Sequence, residues 1–402
     1  MAVTTIEVSE LAMFVLAIVA ILVGTAVNGR VASLRTSGIP PAVTGGLLFA
    51  ALAWVARAWP GVEFAWPGTI RTLLLLVFFS GLGLSAKFAG LRQGRVQVAL
   101  LCVAIALTIV MQNAVGIVLA RAFGQPAALG LFVGSIPFLG GHGTAAAWAQ
   151  TPDASTLPAA FELGIAAATL GLIVGGVVGG PVASRLARRA RSSPATVADL
   201  PVAPTATDEG RTLGDVLSSD RWLKALLLIA ASLAIGEILQ HLSRDASLNL
   251  PGFLTAMFGG ILITNLADVV RRPVDHELAE LVSTIALRLF LAMSMLSLKL
   301  WELIPFAGLL AAVIVAQVAL IVALAAFVLF PVLGRDRDAA IASGGFIGFA
   351  MGAMPVGLGT MRRLAETLGP APHAFLIITL AASLFTDTAN AIAIQALLDW
   401  LN

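Results

Sequence analysis

The chain is a succession of long apolar runs separated by short polar breaks. Runs of about 20 residues, the length that crosses a bilayer as a helix, fall at 11–29, 39–57, 69–88, 96–120, 159–183, 222–241, 252–270, 281–300, 306–332 and 372–397. They predict about ten spans. Two further stretches are as apolar but carry glycine throughout and a proline each. The first, at 127–150, contains GLFVGSIPFLGGHGTAAAW (130–148); the second, at 339–361, contains GGFIGFAMGAMPVGLGTM (344–361). Glycine and proline interrupt the helix ladder, and free backbone groups persist at membrane depth only against protein or a cavity. Both stretches therefore read as re-entrant hairpins, the first broken at Pro137.

The second half echoes the first. Placing VFFSGLGLSAKFAGL (77–91) over LFLAMSMLSLKLWEL (289–303) matches Phe78 with Phe290, Leu84 with Leu296, Ser85 with Ser297, Lys87 with Lys299 and Leu91 with Leu303. The same offset, about 212 positions, sets Ala127 and Ala128 over Ala339 and Ala340, and Gly140 over Gly352. With an odd number of spans in each half, the second copy must lie upside down relative to the first. The expected fold is an all-α polytopic membrane protein: about ten transmembrane helices plus two re-entrant hairpins in two inverted-topology repeats. Residues 1–183 form the first repeat, 184–221 a cytoplasmic linker rich in arginine and then proline and alanine, and 222–402 the second repeat. Matched broken segments in inverted repeats point to a secondary transporter, with its site where those segments meet near the midplane.

Composition agrees with a bilayer as solvent. Hydrophobic residues make up 59% of the chain and charged residues 11%, against about 25% charged in soluble domains. Net charge is +2, and the arginines follow topology, so no nucleic-acid partner is expected. Placing both termini outside puts most basic residues, among them Arg30, Arg95, Arg185, Arg188, Arg335, Arg362 and Arg363, on the inner side. Residues 11–29 lack a preceding basic stretch and read as a true span rather than a cleaved signal. Cys102 is the sole cysteine, which excludes an intrachain disulfide, and the four histidines lie far apart, without metal-ligand spacing.

Polar residues inside apolar runs mark the candidate chemistry. Asp387 sits in FTDTAN (385–390) with Thr386 and Asn390; a carboxylate there is costly unless paired or bound to a cation, and hard cations take such oxygen ligands. Gln112 and Asn113 in MQNAVG point about 100° apart on a helix, so at most one need face a site. The first broken segment offers Ser135, Gly140, Gly141, His142, Gly143 and Thr144 for substrate, and the second offers Gly352 and Pro355. Arg288, within a span, is both a candidate partner for Asp387 and a candidate anion receptor. Gly344, Gly348 and Gly352, one turn apart, and the glycines at 171–180 also suit close helix packing.

The chain resembles the bacterial sodium/glutamate symporters. The resemblance rests on MQNAVGI (111–117), GGHGTAAAW (140–148), GGVVGGPVA (175–183), LFLAMSMLSLKLWEL (289–303), Pro355 with GLGTM, and FTDTAN. It implies a homodimeric carrier of the bacterial inner membrane, not an enzyme, in which a transport unit moves against a scaffold. It also implies a small anionic amino acid, glutamate above all, as substrate, with sodium as coupling ion and no other cofactor. Pro137, Phe138 and Leu139 replace the small hydroxyl residues usual before GGHGT, and Met354 and Val356 flank Pro355 where the family has threonines. The alternatives are a proton-coupled carrier or exporter of a less polar organic acid, and an intramembrane hydrolase built on Ser135 or Thr144 with His142.

Overall fold

A computed structural model of the chain describes residues 4–31, 39–59, 61–86, 95–190, 219–245, 250–270, 276–352 and 354–401. Most of the linker expected at 184–221 lies outside these residues. Each apolar run read from the sequence is mostly helical among the described residues: α1 (Glu10–Arg30), α2 (Pro41–Ala58), α3 (Thr69–Ser85), α4 (Arg95–Ala122), α6 (Ala160–Ala187), α7 (Ser219–Asp245), α8 (Gly252–Val269), α9 (His276–Leu296) and α10 (Ala307–Ala323). A π-helical stretch, Leu324–Leu329, carries α10 on to Val332. The final run divides into α13 (Pro372–Ala381), a π-helical turn (Ala382–Thr386) and α14 (Asp387–Leu401). Among the described residues, eight helices are long and apolar enough to cross a membrane.

The described fold is nearly all helical, with one short strand pair in addition to the helices. Thr4–Glu7 pairs in parallel with Val62–Ala65. Four residues are too few for a periodic signal, and the two strands come together only through the α1–α2 pair between them.

The first broken segment is a 3-10 helix, Ala127–Val133, followed by α5, Ser135–Trp148. The second is α11, Arg337–Gly352, followed by α12, Met354–Leu368, which runs further than the expected limit at 361. Pro137 does not break the first segment. It occupies the first turn of α5, where backbone N–H groups have no helical acceptor to lose. The breaks fall instead at Gly134 (φ −110°, ψ −136°) and Gly141 (φ 71°, ψ −164°). The second conformation is essentially restricted to glycine.

The chain forms two compact units, Met1–Ile70 with Gly94–Pro194 and Leu291–Asn402, and Arg71–Gln93 with Ala195–Phe290. Each therefore draws on both halves of the sequence. In the smaller unit Leu84, Ile229 and Ala279 form a buried cluster. There Thr264 Oγ1 donates to Leu84 O (2.6 Å) and Ser283 Oγ to Phe78 O (2.9 Å).

In the larger unit α6 and α11 meet through a seam of small residues. A β-carbon on Gly175 would lie 2.8 Å from Met351 Cβ, one on Gly179 2.8 Å from Gly344 O, and one on Gly352 2.6 Å from Leu172 Cα. Positions rise along one helix as they fall along the other, so the two run antiparallel at backbone contact distance. The pair α11–α12 is a tight helical hairpin by the same reasoning: Gly344 packs on Leu364, Gly345 on Met361 and Gly348 on Gly357.

One contact occurs twice. Gly45 of α2 sits against Ala20 O and Gly24 N of α1, and Gly259 of α8 sits against Ser232 O and Gly236 N of α7.

Candidate functional site

The polar interior of the larger unit is built from α4, the two broken segments, α10 and α14. Asn113 of α4 binds the start of α5 through both amide atoms: Ser135 N donates to its Oδ1 (2.9 Å) and its Nδ2 donates to Ser135 Oγ (2.8 Å). While its oxygen accepts from Asn113 Nδ2, the Ser135 hydroxyl donates to Asn390 Oδ1 on α14 at 2.6 Å. Asn390 Nδ2 in turn donates to Ser135 O (3.2 Å). The three residues form a chain of uncharged groups with Ser135 at its centre, all at 1% exposure or less. Gly134 allows the approach: a β-carbon there would lie 2.5 Å from Asn113 Oδ1.

Gln112, the neighbour of Asn113, turns to the other broken segment and donates from Nε2 to Ala350 O (2.8 Å). Both amides are thus engaged, each with a different segment, as their divergent directions on the helix allow. Gln317 of α10 donates from Nε2 to Gln112 O (2.9 Å) and to Val133 O (3.2 Å). Sequence reasoning missed Gln317. The signal was a lone amide in the apolar run LLAAVIVAQVALIVALAAF, where it costs burial energy unless its polar atoms are used.

Three buried side-chain oxygens in this interior have no hydrogen-bond partner among the described residues: Gln112 Oε1, Gln317 Oε1 and Thr386 Oγ1. Leaving a buried polar atom unpaired costs about 1–3 kcal/mol. Asp387, directly after the π-helical turn, is half-buried and has no hydrogen bond or ion pair among the described residues. Among the described residues, no three His, Cys, Asp or Glu side chains are placed to hold a metal ion together. The arrangement is therefore rich in neutral oxygen with one carboxylate, which suits a hard monovalent cation better than a transition metal.

A family model described as sodium/glutamate symporter matches residues 6–370. The chain belongs to the sodium/glutamate symporter family. It is similar to the sodium/glutamate symporter of Escherichia coli (strain K12), with 34% identity over 387 residues, 96% of each chain. It is equally similar to the sodium/glutamate symporter of Haemophilus influenzae, with 34% identity over 378 residues, 94% of each chain. With its apolar helices, membership of the sodium/glutamate symporter family makes the chain a multi-pass membrane transporter rather than an enzyme.

The remaining residues expected at a sodium/glutamate symporter site divide between the polar interior and packing positions. His142 Nε2 lies 3.0 Å from Thr169 Oγ1, whose hydroxyl donates to Ile165 O (2.9 Å). The threonine oxygen therefore accepts, His142 carries its proton on Nε2, and the pair ties α5 to α6. Gly140 lies against the half-buried Thr144, with a notional β-carbon 2.5 Å from Thr144 Cβ, while Gly143 is buried. Gly352 lies in the α6–α11 seam, and Pro355 is in the first turn of α12. Arg288 belongs to the smaller unit, is exposed on α9 with Leu281 and Ile285, and has no ion pair among the described residues. Ser135 and His142 engage different partners, so no serine–histidine pair of the hydrolase kind is formed.

Proposed function

We propose that this chain carries glutamate, or a closely related small anionic amino acid, together with sodium across the bacterial inner membrane. The observation that carries the reading is the buried Asn113–Ser135–Asn390 hydrogen-bonded chain, with donorless buried oxygens in the same unit, in a member of the sodium/glutamate symporter family. The sodium and glutamate named for the curated relatives fit that interior. Asp387, Thr386, Asn390, Gln112 and Asn113 are assigned to the cation. Ser135, Gly140, Gly141, His142, Gly143, Thr144, Gly352 and Pro355 are assigned to the substrate side, where freed backbone N–H groups at helix starts attract a carboxylate.

The architecture proposed with it has ten spans, two re-entrant hairpins and two inverted repeats, 1–183 and 222–402, joined by a cytoplasmic linker. Three features favour it: the helices of the second half follow those of the first in order, a broken segment occupies the same place in each, and the Gly45 contact recurs at Gly259. The distribution of arginine favours both termini outside. Transport then proceeds by elevator-like alternating access within a homodimer.

Uptake of labelled glutamate into proteoliposomes, with and without an inward sodium gradient, tests the function. Accumulation that requires the gradient is expected. Accumulation driven by a proton gradient alone, or transport of other acids but not glutamate, overturns it.

A further inference from the structure

We propose that Gln112 and Gln317 together form a binding site for an alkali cation, with their side-chain carbonyl oxygens as ligands. The inference rests on the reading of the chain as sodium-coupled and adds Gln317, which lies outside every motif singled out in the sequence.

The two glutamines do equivalent work from different helices. Gln112 on α4 donates its amide hydrogen to Ala350 O, near the end of α11. Gln317 on α10 donates to Val133 O, the last residue of the 3-10 segment, and to the backbone carbonyl of Gln112 itself. Each thus caps the carbonyl end of the first arm of a broken segment, and the side chain of one touches the backbone of the other. Because both Nε2 atoms face carbonyl oxygens, turning either amide over would set oxygen against oxygen. The chemistry therefore fixes where each Oε1 lies. Both side chains are fully buried, and neither Oε1 has a donor among the described residues.

Two features select a cation. Amide oxygens are acceptors only, so they repel an anion. The carbonyl ends of helical arms carry partial negative charge, and two such ends lie at these residues. Neutral oxygen ligands from a side-chain amide pair suit a hard monovalent ion, which is stripped of water at modest cost compared with a divalent one.

The test is thermal unfolding of the purified full-length protein, without glutamate, as choline is replaced by sodium at constant ionic strength. Ligand linkage raises the unfolding temperature as sodium saturates its site. Gln317→Met is expected to raise the sodium concentration for half-maximal stabilisation tenfold or more. Gln317→Asn retracts the amide by one methylene, so it retains polarity if the methionine variant does not fold, and it is expected to shift that concentration in the same direction. An unchanged sodium midpoint with an equal fall in unfolding temperature in choline and in sodium overturns the inference and leaves Gln317 a packing residue. A wild-type protein that does not respond to sodium overturns the sodium reading itself, which is a separate outcome.

Discussion

Ser135 and Asn390, 255 positions apart, exchange hydrogen bonds in both directions, from hydroxyl to amide oxygen at 2.6 Å and from amide nitrogen to backbone carbonyl at 3.2 Å. This two-way link fastens α14 to the start of α5, and it sets the first prediction. Ser135→Ala leaves the Asn390 amide oxygen and Asn113 Nδ2 buried without their partner. A loss of about 1–3 kcal/mol should appear as a lower unfolding temperature, together with reduced uptake. Ser135→Thr, which keeps the hydroxyl, should recover part of both. An alanine variant as stable and active as the wild type would remove the Asn113–Ser135–Asn390 chain from the working site.

Asp387 stands next to this link without a described partner of its own. Asp387→Asn keeps the size and removes the charge, so uptake by the variant should no longer follow the sodium gradient. Rates measured across a sodium titration decide the matter, and an unaltered sodium dependence takes Asp387 out of the cation site.

Gly141 holds a backbone conformation that side chains resist (φ 71°, ψ −164°). Gly141→Ala should cost about 1–3 kcal/mol from strain alone. Gly143→Ala, in the same helix and without a positive φ, is the comparison. Equal unfolding temperatures for the two variants would contradict the strain at 141.

The α6–α11 seam predicts a contrast between two glycines. Gly352→Ala drives a methyl against Leu172 Cα and should destabilise by about 1–3 kcal/mol, as overpacking does. Gly180 has open space where its β-carbon would go, so Gly180→Ala should be neutral or should gain up to about 1 kcal/mol from helix propensity. Unfolding temperatures and monodispersity of the two purified variants check both.

The helices were legible because each is a long apolar run whose ends are marked by arginine, proline or glycine. Asp387 and the Gln112–Asn113 pair were legible as candidates because a polar residue in such a run is costly. What joins them was not. The bond from Gln112 to Ala350 spans 238 positions, and no local pattern encodes a partner so distant. Pro137 misled for a physical reason: proline breaks a helix interior but fits its first turn, and only the conformation of Gly134 shows where that turn begins. Gln317 was passed over because one amide among valines and alanines leaves the hydrophobic signal of the run intact. Arg288 drew attention by its charge, yet the face of α9 that carries it is decided by packing.

The recurring contact of Gly45 on Ala20 and of Gly259 on Ser232 bears on the order in which the protein is made. Each joins a helix to the one translated just before it, so α1–α2 and α7–α8 can close while the ribosome is still extending the chain. Local pairs of this kind form fast because little loop entropy is lost. The hydrogen-bonded chain through Ser135 has to wait until residue 390 has left the ribosome. Until then Asn113 and Ser135 hold each other alone, and a nascent chain stalled before Asp387 should already protect α1 and α2 from proteolysis while leaving the polar interior open.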